Sequence, residues 1–140
     1  GRRKSGFLRA WIRWSLTWGE KASVLIKAAS DAGVDPPASA VPPELPVHLE
    51  SYISEFWTLS SCRVSSQAGP GPIPWTAMDQ YAERCGYADN VLLYEDFLAY
   101  MTALDFEYLA VMHEEISKKT KAAESKSNRA PATQPKRSKW

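Results

Sequence analysis

Apolar residues along this chain return at intervals of three and four, the spacing that gathers them on one face of an α-helix. Phe7, Trp11, Trp14, Trp18, Ala22, Leu25 and Ala29 form the first stripe, widened by Leu8, Ile12 and Leu16, with Arg9 and Arg13 off it. This predicts a helix over 7–29, weakened in its middle by Gly19. Pro36, Pro37, Pro42, Pro43 and Pro46 follow. Proline lacks the helical donor, so 35–46 reads as an extended linker.

Leu49, Tyr52, Ile53, Phe56, Trp57 and Leu59 or Ser60 resume the helical spacing and predict a helix over 47–63. The run Ala68-Gly69-Pro70-Gly71-Pro72-Ile73-Pro74 excludes helix and central strand alike, so 64–74 is a loop. Pro74 suits the first turn of a third helix over 75–85. Trp75, Met78, Tyr81, Ala82 and Cys85 give its inner face, and Gly86 ends it at little conformational cost. Asp89 or Asn90 caps a last helix over 91–116, with Leu93, Phe97, Met101, Leu104, Tyr108 and Val111 or Met112 as its stripe. Beyond Ile116 the chain offers few apolar groups to bury, which predicts a tail that is disordered or frayed helix. No period-two alternation of useful length and no internal repeat interrupts this pattern.

The elements add up to an all-α protein, a small bundle of about four helices. The expected organisation is a basic, Trp-rich helical segment at 1–34, the Pro-rich linker at 35–46, a helical core domain at 47–116 and a basic disordered tail at 117–140. With 140 residues the chain can bury a real core as one compact domain. No stretch reaches the roughly 18 apolar residues of a membrane span. The basic start leads into Trp-rich helix rather than the plain apolar stretch of a secretory signal. Cys62 and Cys85 are too few for a disulfide framework or a four-cysteine zinc site; they allow at most one bridge, and two buried reduced thiols are expected instead.

Charge sharpens the division. Residues 1–27 carry seven Lys/Arg against Glu20, a net of +6. Residues 28–117 carry Arg63 and Arg84 against fourteen Asp/Glu, a net of −12. Residues 118–140 carry eight Lys/Arg against Glu124, a net of +7. The acidic middle repels nucleic acid and anionic lipid, whereas the ends could meet either. The Trp-rich stripe has three readings: a membrane-interface helix, a helix packed on the core or a partner, or a stretch without a folded role. Its polar face mixes Ser, Thr and Glu with Arg, which favours packing.

Candidate chemistry is sparse. Asp79 and Glu83 share a helix face, but Arg84 beside them and an outward position make a solvated pair. His113-Glu114-Glu115 lacks the second histidine of a zinc-protease helix. A zinc site from His48, Cys62, Cys85 and His113 would need accidental convergence. Gly69-Pro70-Gly71-Pro72 loses two backbone donors to proline and cannot cradle phosphate. Ala82-x-x-x-Gly86 followed by a helix has the outline of a helix-turn-helix, but Val91–Met101 carries Glu95 and Asp96 and no Lys or Arg, so it would repel DNA. These residues predict no enzyme, no catalytic or metal-ligating residue and no cofactor.

Three blocks between Glu44 and Leu109 carry a resemblance. The first is Glu55-Phe56-Trp57-Thr58-Leu59-Ser60 with Arg63. The second is Gly69-Pro70-Gly71-Pro72-Ile73-Pro74-Trp75, continuing through Met78, Asp79, Tyr81, Ala82, Arg84 and Gly86. The third is Phe97, Met101, Leu104-Asp105 and Tyr108-Leu109. Together they resemble the downstream half of the tail assembly chaperones of long-tailed, non-contractile (siphovirus-type) bacteriophages. Cys85 departs from the aromatic residue expected there, and the Trp-rich start and Lys-rich tail lie outside the resemblance.

That resemblance implies a small, non-enzymatic helical protein of the host cytoplasm. It implies binding to the tape measure protein, help in recruiting the tail tube protein, and absence from the mature virion. It also implies fusion to an upstream chaperone half by ribosomal slippage; a first residue that is not Met fits this and a trimmed start equally. Nucleic acid and membrane are not expected partners.

The loop itself supports a partner surface. A stiff Gly/Pro segment flanked by large aromatic side chains loses little entropy on binding. The expected partner-binding residues are Trp57, Arg63, Gly69, Pro70, Gly71, Pro72, Ile73, Pro74, Trp75 and Tyr81. Arg63 and Asp79 are expected to pair across the adjoining helix ends and hold the loop. Two other functions compete: a structural component of the virion tail or connector, and a nucleic-acid- or membrane-associated accessory protein acting through the basic ends.

Overall fold

The computed structural model describes residues 2–129. Four helices build it: α1 (Arg2–Ala32), α2 (Glu50–Ser60), α3 (Trp75–Arg84) and α4 (Val91–Arg129). Short 3-10 turns stand at Ala38–Ala40, Val47–Leu49 and Tyr87–Asp89. One two-residue hairpin, β1 (Ser65–Ser66) against β2 (Gly69–Pro70), pairs Ser65 with Pro70 and Ser66 with Gly69 in antiparallel register. The protein is a small all-α bundle, as the helical spacing predicts.

Helix α4 is the axis. Phe97, Met101, Leu104 and Val111 on it are fully buried, joined by Phe56 of α2, Leu49 before it, and Leu8 and Ile12 of α1. Burying one such side chain is worth about 1.5–3 kcal/mol, so these positions dominate the fold's apolar stabilisation. Helices α1 and α4 run parallel: Ser5 and Arg9 lie beside Ala99–Phe106, Arg13 bonds Glu107 and Glu114, and Lys21 comes near Lys118. The Arg13 cluster joins the helices and raises the Arg13 pKa while lowering that of Glu114, each group stabilising the other's charge. Both Arg13 and Glu114 are solvent-accessible, so water and salt screen the bond.

The helix ends follow local chemistry. The Asn90 side-chain oxygen accepts from the Leu92 and Leu93 amides and caps α4. Gly86 takes the left-handed conformation, φ +82°, between α3 and the turn before α4. Pro74 occupies the position just before the first turn of α3.

Several expectations need correction. On α1 the fully buried residues are Leu8 and Ile12, while Trp11 and Trp14 are half-buried and Trp18 is exposed. The tryptophans line the flank of the buried face, where the Trp14 indole N–H donates to the Ser39 carbonyl at 3.0 Å. That bond ties the 35–46 segment back onto α1 and leaves Ala40 buried. The segment is not extended throughout, because the proline-free gap between Pro37 and Pro42 admits the turn at Ala38–Ala40.

Cys62 and Cys85 are exposed free thiols, not buried ones, because each stands at the open C-terminal end of its helix. Trp75 and Leu93, assigned to inner faces, are exposed as well. Finally, α4 runs on to Arg129 rather than ending at Ile116. Extending a nucleated helix costs far less than starting one, and Ala, Lys and Glu are good helix formers. Side chains from Ser117 to Ser127 are nevertheless exposed. The rest of the predicted disordered tail, 130–140, lies outside the described residues.

Candidate functional site

The Gly/Pro loop is built from its backbone donors outward. Pro70, Pro72 and Pro74 have no N–H, so Gly71 and Ile73 carry the donors of this stretch. Gly71 donates to the Val64 carbonyl at 2.8 Å and Ile73 donates to the Asp105 carboxylate at 3.2 Å. Both donors are satisfied, and each of the three prolines has its own φ fixed by its ring. Gly71 must be glycine for lack of room: a Cβ there would stand 2.7 Å from the Val64 carbonyl oxygen. Gly69 has φ +114°, a conformation that glycine adopts without strain.

Arg63, just beyond α2, fastens this loop to α4. Its Nη1 donates to the Gly71 carbonyl at 2.8 Å and to Asp105 Oδ1 at 2.5 Å, and its Nε donates to Ser60 Oγ at 3.1 Å. The guanidinium lies 4.2 Å from the Tyr108 ring centroid and 5.7 Å from that of Phe56. The Arg63 side chain is 4% exposed and that of Asp105 11%, so this is a buried ion pair. Taking two charges out of water is costly, and the pair persists because each charge has other partners: Ile73 for Asp105, and Gly71 with two aromatic faces for Arg63. One clasp thus joins α2, the loop and α4.

The expected pairing of Arg63 with Asp79 is therefore corrected. Asp79 instead accepts from the Tyr94 hydroxyl at 2.5 Å, which raises the pKa of that phenol. The acid that meets Arg63 lies inside the apolar run of α4. A lone carboxylate between Leu104 and Phe106 was the available signal, since such a residue needs a buried cation.

The ten expected surface residues fall into two groups. Arg63 and Ile73 face inward. Tyr81 stacks on Phe97 with centroids 5.8 Å apart, and burial with a Cys85 hydrogen bond pushes its pKa up to about 12. Gly69, Pro70, Gly71 and Pro74 are half-buried and Pro72 is exposed. Trp57 is 41% exposed and Trp75 59% exposed. The Trp57 ring packs on Tyr108 at 6.1 Å, whereas Trp75 lines an open groove of about 530 Å³ with Leu98, Thr102 and Phe106. The tryptophans flank the loop against different residues of α4. Phe106, 66% exposed, and Arg9, whose guanidinium carbon is 6.0 Å from its ring centroid, escaped the sequence reading because they belong to no stripe.

Among the described residues no cluster of three or more His, Cys, Asp or Glu is arranged to hold a metal, and no helix is long and apolar enough to cross a membrane. A family model described as phage tail assembly chaperone matches residues 28–110, more than half of the chain. The chain belongs to the phage tail assembly chaperone family. No curated protein and no solved structure matches it. The family match spans α2, α3, the clasped loop and Asp105. Most of α1, including Leu8 and Ile12 of the core, precedes it. As a family member the chain acts as a chaperone in tail assembly, and its partners are tail proteins.

Proposed function

We propose that this tail assembly chaperone binds the tape measure protein through the clasped loop, Gly69–Trp75, with Trp57 before it and Tyr81 after it in the chain. The observation that carries the reading is the clasp: a loop held rigid by a buried ion pair presents a largely exposed tryptophan. Exposing Trp75 has an apolar cost in a free monomer, and a preorganised aromatic anchor recovers it on binding. The tape measure protein is the partner that the resemblance to siphovirus-type downstream chaperone halves implies, with recruitment of tail tube protein and fusion to an upstream half by slippage. The same reading puts the protein in the host cytoplasm and outside the finished virion.

Trp75→Ala tests this. Trp75 contributes little to the core, so the variant should keep the wild-type melting temperature within a few degrees. It should lose most co-purification with the tape measure protein of the same phage. Retained co-purification would defeat the proposed surface. Mass spectrometry of purified virions checks the location: a stoichiometric copy number would make this a structural tail component instead.

A further inference from the structure

The groove beside Trp75 has features that a connecting loop does not need. Its floor is made by Ala99 and Ala103, one turn apart on α4, with Thr102 between them. Small residues let another backbone come close. Trp75 and Phe106 form aromatic walls, and both are more than half exposed. A volume of about 530 Å³ suits a few side chains rather than a whole domain.

The charge at the rim is one-sided. Arg9 is the charged residue lining the groove, and among the described residues no carboxylate bonds it. The neighbouring acids of α4 are already engaged, Asp105 by Arg63 and Glu107 by Arg13. An incoming carboxylate would thus meet an unpaired guanidinium beside two aromatic anchors. Arginine and aromatic residues together are the composition of an interface hot spot.

From this we propose that the groove between the N-terminal half of α1 and Trp75 receives an amphipathic helical segment of the tail partner. That segment places aliphatic side chains, spaced three or four apart, between Trp75 and Phe106, and an Asp or Glu against Arg9. The inference rests on the tape measure reading and deepens it. It centres the contact on the Trp75 edge of the loop rather than the Trp57 edge, and it makes α1 part of the site.

The test uses the full chain, overlapping peptides tiling the tape measure protein, and the intact tape measure protein as a second target. Wild type should bind peptides that combine helical apolar spacing with an acidic residue. Phe106→Ala and the groove-filling Thr102→Arg should each weaken binding by about tenfold or more, equivalent to at least about 1.4 kcal/mol. Arg9→Glu should do the same, Arg9→Lys should retain most of the affinity, and a peptide with its acid changed to Lys should recover binding to Arg9→Glu. All three sites are exposed, so each variant should melt as wild type does. Wild-type binding that all these variants share would overturn the groove while leaving the tape measure reading intact, and loss confined to Trp57→Ala would return the contact to the other edge. Selection of basic peptides would also overturn it. If wild type binds neither the peptides nor the intact protein, both readings fall together.

Discussion

Removing the Asp105 carboxylate should be among the most damaging single changes available to this fold. In Asp105→Ala the Arg63 guanidinium keeps its buried position, 4% exposed, but loses its counter-ion, and the Ile73 amide loses its acceptor. Breaking a buried pair from one side typically costs about 3–5 kcal/mol, mostly the cost of the stranded charge. At about 4 °C per kcal/mol for a chain of this size, the melting temperature should fall by roughly 12–20 °C. The partner change, Arg63→Met with Asp105→Leu, separates charge from packing. It removes both ions, so what remains is the unpaired Gly71 carbonyl and Ile73 amide, at about 1–3 kcal/mol each. The double variant should therefore be less destabilised than the single variants Arg63→Met and Asp105→Leu summed. Urea titration of the four proteins gives the coupling directly, and amide exchange at Gly71 and Ile73 reports whether the loop has come loose. A cost for Asp105→Ala below about 1 kcal/mol, or strictly additive effects, would show that the loop does not depend on this pair.

Gly71→Ala should cost about 1–3 kcal/mol by calorimetry, because its new methyl group would press on the Val64 carbonyl and the loop must shift to admit it. Leu8→Ala removes a fully buried side chain from α1 and should cost about 2–5 kcal/mol in chemical denaturation, although residues 1–27 lie outside the family match. Glu55 is a half-buried carboxyl whose pKa is raised above its ordinary 4.5 by burial, against an opposing hydrogen bond from Tyr87. A raised carboxyl pKa means stability is fully present below pH 4.5 and declines as pH rises through the folded value. Wild type should therefore gain on Glu55→Gln as pH is lowered toward 4.5, and melting curves against pH should converge below it.

Local rules were enough for the elements and their punctuation. Period-3.6 spacing placed four helices; Asn90 and Gly86 marked helix boundaries through side-chain capping and a left-handed φ; alternating Gly and Pro kept 69–74 out of any helix, although Gly69–Pro70 pairs in a two-residue hairpin with Ser65–Ser66 that the loop reading did not foresee. These features depend on a few neighbouring residues, so they can be read along the chain. The length of α4 was misread because composition reports what a segment can bury, not whether an existing helix can be propagated through it. Within the predicted stripe of α1, the packing against α4 decided which members are fully buried: it put Leu8 and Ile12 at the centre, kept Ala22 and Ala29 buried, and left the tryptophans at the flank. The partner of Arg63 was settled the same way. Asp79 and Asp105 are both acids, and only the path of the loop across α4 brings Asp105 to the guanidinium. The groove formed by Arg9, Trp75 and Phe106 gathers residues far apart in the chain and on no common stripe. Local spacing carries no trace of such a meeting, because long-range packing alone creates it.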